Sequence, residues 1–227
     1  MIDYHIHTER CGHATGTVDL YAGAAVKNGL REIGFADHAP MPEELRAGLT
    51  MPVSGIEPYM EEVLECRARC EGILDVRLGM EVDYPLFDSF PAALFRDPRI
   101  DFLTGSCHFI EGWAFDHPAH ADGFRDRDID DIYAGYYSVI ESMVSSGLFD
   151  IVGHFDIVKK FGHRPRKDFL PHIGRIARIM GDSGIAVEIN TGGLRHPVGE
   201  IYPSPEILRA LYDANVPATI SSDAHAP

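Results

Sequence analysis

The histidines of this chain fall in a pattern that could hold metal ions. His5 and His7 close the run MIDYHIH, and His38 follows REIGFAD. Glu81 closes RLGME, His108 follows FLTGSC, and His154 follows IVG. Asp223 and His225 come directly after TISS. Each of these runs reads as a short strand, so a ligand-type side chain stands at or just beyond nearly every strand end. Residues two apart in a strand face the same way, so His5 and His7 can chelate one ion. Imidazole combined with carboxylate suits Zn, Fe or Mn. With His13 there are nine candidate ligands: His5, His7, His13, His38, Glu81, His108, His154, Asp223 and His225. That is too many for one four-coordinate ion, and a carboxylate such as Glu81 can bridge two. The expectation is two or three divalent ions in a catalytic cluster. A single histidine at a strand end is ordinarily a surface or hydrogen-bonded residue; it is the recurrence that carries the reading. His117, His120, His163, His172 and His196 do not follow strands. His172 is expected on a solvated helix face, and His163 and His196 near cationic loops.

These side chains need a scaffold that brings strand ends together. Candidate strands are residues 1–7, 32–36, 76–82, 102–107, 151–154, 185–189 and 218–221. Helical periodicity places helices over 19–28, 55–71, 128–146, 167–181 and 204–215, the last opening on Ser204-Pro205 as N-cap and first turn. Strand–helix alternation predicts an α/β fold with a parallel sheet, closed or open. In either form the C-terminal strand ends share one rim, where active sites are built. Residues 83–99 and 111–126 read as insertions, the second carrying Trp113, His117 and His120 as a pocket cover.

At 227 residues the chain is expected to form one domain over 1–227. Its formal charge of −15 argues against a nucleic-acid partner. No apolar run approaches the roughly 18–20 residues needed to span a bilayer, and the N-terminus lacks a basic region followed by an apolar stretch. These features predict a cytoplasmic protein without membrane attachment, and they leave its oligomeric state open. Cys66 and Cys70 share a helix face, but a lone C-x-x-x-C is a poor zinc signal; the four cysteines read as free thiols.

Together, the segments Asp3–His7 (DYHIH), Cys11–His13 (CGH), Ala36–His38 (ADH), Gly79–Glu81 (GME), the His108 and His154 strand ends and Ser222–His225 (SDAH) resemble the polymerase-and-histidinol-phosphatase (PHP) superfamily. The segments IVGHFDIVKKFG and EINTGGLRHP are similar to its histidinol-phosphate phosphatase branch. The resemblance implies a distorted (β/α)7 barrel. It places His5, His7, Glu81 and Asp223 on a first metal, His13, His38 and His225 on a second, and Glu81, His108 and His154 on a third. Such proteins continue past the final Asp-Ala-His with another helix, whereas this chain stops at Pro227, so a barrel lacking that last helix is expected.

The implied chemistry is hydrolysis of a small phosphate monoester. Such an ester carries two negative charges near neutral pH and repels hydroxide; paired metals acidify a water and neutralise phosphoryl oxygens. In-line attack on phosphorus then needs no covalent enzyme intermediate. Asp223 is the first candidate for proton relay and His196 the second. Arg195, flanked by Gly192 and Gly193, and Lys159 are the candidate phosphate cations, a fork and a point charge respectively. Lys160 and Arg164 are expected to be solvated. The resemblance implies L-histidinol phosphate as substrate, with Asp83, Asp116 or Asp122 facing its amino group. Alternatives are a PHP phosphoesterase acting on nucleotides or other small phosphates, and a non-catalytic metal-stabilised binding module. An amidohydrolase also opens on His-x-His, but it would need a bridging modified lysine on a middle strand, and no candidate strand carries one.

Overall fold

The computed structural model describes residues 1–46 and 48–227. All seven expected strands form: β1 (Ile2–Ile6), β2 (Glu32–Phe35), β3 (Asp75–Asp83), β4 (Phe102–Ser106), β7 (Ile151–Val152), β8 (Ala186–Asn190) and β9 (Ala218–Ser221). They pair in sequence order, β1-β2-β3-β4-β7-β8-β9, the order that successive β-α crossovers produce. β1 and β2, β2 and β3, and β7 and β8 are parallel. Two further strands, β5 (Phe109–Ile110) and β6 (Trp113–Ala114), form a separate antiparallel hairpin across the start of the second insertion. Its two-residue turn puts Glu111 at φ +50° and Gly112 at φ +80°, the double positive-φ turn that suits strand twist.

The helices are α1 (Val18–Lys27), the short α2 (Glu43–Arg46), α3 (Ile56–Arg69), α4 (Ile129–Ser145), α5 (Leu170–Ser183) and α6 (Pro205–Asp213). Among the described residues α2 was not expected, and residues 84–96 hold two 3-10 segments. α3 buries Ile56, Tyr59, Met60, Val63 and Cys66, the spacing of one helical face. α4 is capped by Asp128, which accepts from the Asp130 N–H at 2.8 Å. α5 begins three residues later than expected, because Asp168 accepts from Leu170 N–H and Pro171 stands in the first turn. The fifth strand stops at Val152 rather than His154, whose φ of +20° turns the chain out of the ladder.

By contacts, the chain divides into two compact units. One comprises Met1–Val82, Leu86–Thr104 and Thr219–Pro227; the other comprises Asp83–Pro85 and Gly105–Ala218. The first is built around Ile33, Phe35, Tyr59, Leu78 and Met80, all without solvent exposure. The second is built around Tyr136, Ile140, Met143, Val152 and Ile176, equally buried. Each such side chain contributes roughly 1.5–3 kcal/mol of hydrophobic stabilisation. No described helix is long and apolar enough to cross a membrane.

Candidate metal centre

In the first unit, backbone pairing sets ligand-type side chains next to one another. Glu81 N–H donates to Asp37 O, and Ala39 N–H donates back to Glu81 O, bridging His38 to Glu81 in parallel. His7 N–H donates to Ala224 O and Ala224 N–H to His5 O, so residues after β9 pair with the end of β1. Asp3 reinforces that join: its Oδ1 accepts from the N–H groups of His5 and Ser222. Gly79, two residues before Glu81, leaves room for the Phe102 ring, which a Cβ there would strike.

The resulting geometry is tight. Glu81 Oε2 lies 2.9 Å from His38 Nδ1, 3.3 Å from His5 Nε2 and 3.5 Å from His7 Nε2. Asp223 Oδ1 lies 3.4 Å from His7 Nε2 and 4.0 Å from His5 Nε2. His13 Nε2 faces His225 Nε2 at 3.1 Å. Their Nδ1 atoms lie against backbone carbonyls, Cys11 O at 3.2 Å and Asp223 O at 3.0 Å, the arrangement in which Nδ1 donates and Nε2 carries the lone pair. Asp223 itself sits at φ +56°, a conformation uncommon outside glycine.

Electrostatics favours neutral imidazoles. Burial, assisted by the neighbouring histidines, holds His7 well below its ordinary value and pushes His13 down to about 4; burial also lowers His225. Neither ring nitrogen of His7 makes a hydrogen bond, although the residue is buried. A buried neutral imidazole with uncommitted nitrogens, beside a buried carboxylate, has the donor set of a divalent-cation site. The groups His5–His7–Glu81 and His7–His38–His225 each converge closely enough to hold one ion.

The second unit carries its own pair. His108 Nε2 and His154 Nε2 are 3.2 Å apart, so at most one of them can donate to the other. Asp83 Oδ2 lies 3.1 Å from His108 Nδ1, and Asp83 Oδ1 accepts from the His108 N–H, which fixes the ring's orientation. Glu188 accepts from the His154 N–H at 2.7 Å and from Asn190 Nδ2 at 3.0 Å.

Three side chains were not legible as site-shaping from sequence, Asp37, Glu188 and Asp156, and Asp83, expected to face a substrate amine, instead orients His108. Asp37 is buried, accepts from Thr8 N–H and Oγ1, and is pushed up to about 7 by burial. The available signal was adjacency, since Asp37 precedes His38 and Asp156 follows His154 by two.

Of the two expected substrate cations, Lys159 departs from the sequence reading. Lys159 is 1% exposed, and its ammonium is held by Asp156 (2.9 Å), Glu200 (3.3 Å) and Ile201 O (2.9 Å), so its charge is spent inside the protein. Lys160, expected in solvent, is half-buried and pairs with Asp116 at 3.1 Å. Arg164 is exposed but pairs with Glu200. Arg195 is exposed on the 3-10 turn Gly192–Arg195, followed by half-buried His196. That turn needs Gly193, where a Cβ would collide with the Glu200 carbonyl oxygen. His172 is not solvated: it faces Glu141 at 2.8 Å. His163 stacks on Phe124, and His117 caps the 3-10 segment Pro118–Phe124. Of the three acids expected near a substrate amine, Asp83 is committed to His108 and Asp122 is 86% exposed beside Arg125. Cys66 and Cys70 are free thiols with sulfurs 3.9 Å apart.

Comparison with known proteins places these observations. The PHP domain family profile matches residues 3–192. The chain is 38% identical to the "Probable histidinol-phosphatase" of Deinococcus radiodurans, over all of this chain and 87% of that protein. It is 30% identical to the "Histidinol-phosphatase" of Bacillus subtilis, over 98% of this chain and 92% of that protein. Its fold matches the crystal structure of histidinol phosphate phosphatase from Lactococcus lactis, solved with zinc, L-histidinol and phosphate. The TM-score is 0.81 at 19% identity, covering 99% of this chain and 86% of that one. The seven parallel strands in sequential order are thus those of the (β/α)7 barrel expected from sequence. With the family profile spanning most of its length and every motif in place, the chain belongs to the PHP domain family.

Proposed function

We propose that the protein is a metal-dependent phosphatase that hydrolyses L-histidinol phosphate to L-histidinol and phosphate. The observation that carries this is Glu81, a buried carboxylate within 2.9–3.5 Å of three imidazole nitrogens. The names of the relatives and the zinc, L-histidinol and phosphate bound by the Lactococcus protein support the substrate.

His5, His7, Glu81 and Asp223, together with His13, His38 and His225, hold cations in the first unit. His108 and His154 supply two further nitrogens in the second. The set is two or three ions of Zn, Mn or Fe. Divalent cations at such a site supply a water whose proton leaves near neutral pH, and they offset the charge of the phosphoryl oxygens. The chain's own residues do the rest. Glu81 fixes the spacing of the imidazoles around it. Asp223, whose carboxylate is partly exposed, is the first candidate to relay a proton to the leaving alkoxide, and His196 is the alternative. Arg195 grips phosphate oxygens as a planar fork. Asp83 holds His108 in one tautomer, so the facing nitrogen stays a lone-pair donor.

The test is phosphate release from L-histidinol phosphate, set against a panel of sugar phosphates and nucleotides. Selective turnover that is lost on chelation and regained with Zn, Mn or Fe is expected. Equal rates across the panel would leave a general small-phosphate phosphoesterase, and metal retention without turnover would leave a binding module.

A further inference from the structure

The second unit contains a cavity of about 250 Å³, walled by Tyr133, Tyr137 and Phe169 and floored by Asp156, Ser204 and the start of α6. None of its lining residues is a candidate metal ligand. Three features mark it as built for a ligand rather than left by imperfect packing.

First, a buried polar atom there is uncommitted. Asp156 is 2% exposed; its Oδ2 accepts from Ser204 N–H and approaches Lys159, while its Oδ1 has no partner. Tyr137, equally buried as a residue, lines the same cavity; its neighbours Tyr133 and Tyr136 donate to His163 O and Phe155 O. Buried polar groups are ordinarily satisfied, and each one left bare costs about 1–3 kcal/mol.

Second, α6 opens onto the cavity without a side-chain cap. Ser204 stands at the N-cap position but makes no capping bond, so the first-turn N–H groups of Glu206 and Ile207 point at space. An anionic group is favoured there.

Third, the lining charges balance: Lys159, Arg164 and Lys167 against Asp156, Asp168 and Glu206. Lys167 and Glu206 have no ion-pair partner among the described residues. A simple anion would meet three carboxylates, and a simple amine three cations. A molecule carrying both charges meets neither penalty.

We infer that this cavity binds a free α-amino acid with a planar side chain. Its carboxylate caps α6 at Ser204 and accepts from the Tyr137 hydroxyl, its ammonium donates to Asp156 Oδ1, and its ring lies against Tyr133, Tyr137 and Phe169. The volume suits a ligand of that size, and aromatic walls with a few convergent polar groups are the usual composition of a small-molecule site.

Calorimetric titration of the full chain with the free L-amino acids, with inorganic phosphate and imidazole as separate probes, tests this. At least one aromatic or heteroaromatic amino acid is expected to bind, while its decarboxylated amine and inorganic phosphate do not. Tyr137→Phe and Ser204→Ala each remove one hydrogen bond and should weaken binding about five- to tenfold, with phosphatase turnover unchanged. Absence of binding by every amino acid at millimolar concentration would mean that the cavity holds only water, and would overturn the inference. So would binding that both variants leave intact, which would place the amino acid elsewhere.

Discussion

Asp83→Asn isolates the contribution of a charge that touches no substrate and no proposed cation. In the parent, Asp83 Oδ2 sits 3.1 Å from His108 Nδ1 and its Oδ1 takes the His108 N–H at 3.4 Å, with Asp83 5% and His108 9% exposed. Asparagine keeps the shape and can still offer an amide oxygen to the ring, so packing changes little. What disappears is the charge that makes the bond strong and the facing nitrogen more basic. A hydrogen bond to a charged group contributes about 1.5–3 kcal/mol, which at about 1.4 kcal/mol per tenfold corresponds to roughly 10- to 150-fold in affinity. Ligand-orienting partners elsewhere contribute about 10–100-fold to metal affinity, so the two estimates overlap. The expected outcome is a metal dissociation constant raised about 10–100-fold, measured in chelator-buffered zinc by element analysis. Phosphate release should fall at limiting metal and largely recover at saturating metal. Retention within twofold of the parent, with turnover unchanged, would refute the orienting role of Asp83.

Glu81→Ala should lose more metal and more activity than alanine at His5, His7 or His38 singly, because its one oxygen serves all three imidazoles; element content and phosphate release report this. Because burial holds His13 down at about 4 and keeps His7 well below its ordinary value, those nitrogens stay unprotonated as pH falls below 6.5. Bound metal should therefore persist at pH 5.5 and be lost as pH approaches 4, followed by element content after desalting at stepped pH; loss already complete at pH 6 would contradict the depressed values. Gly193→Ala forces a methyl against the Glu200 carbonyl and the Tyr202 ring, and should cost about 1–3 kcal/mol. That corresponds to a fall in melting temperature of about 2–4 °C per kcal/mol for a chain of this size.

The frame of the fold was written openly in the sequence. Apolar runs of four to seven residues alternating with helical periodicity located every strand of the seven-stranded sheet, and ligand-type residues stood at or just beyond most of their ends. Shorter elements were hidden for physical reasons. α2 is a single turn, below the length at which periodicity exists, and the hairpin at Phe109–Ala114 has two residues per strand. The one local cue was Gly112 after Glu111, a tight-turn residue inside a segment read as irregular. Lys159 illustrates a different limit. From sequence it is a cation on a loop after a strand, and only tertiary packing supplies Asp156, Glu200 and the Ile201 carbonyl that enclose it. Asp83 and Glu188 likewise take on their roles from partners 25 and 34 positions away, which no local pattern encodes.

The pairing of Ala224 with the end of β1 has a bearing on how the protein matures. Asp3 and Ser222 are 219 positions apart, and His13 and His225 are 212 apart, yet each pair is in direct contact. During synthesis, residues 3–13 leave the ribosome long before residues 222–225 exist. His13 must wait for His225 through almost the whole of translation, whereas His5 and His7 can meet Glu81 much earlier. The join at Ala224 is therefore among the last contacts to form, and a ribosome-stalled chain ending before Ser222 should lack both it and the His13–His225 pair.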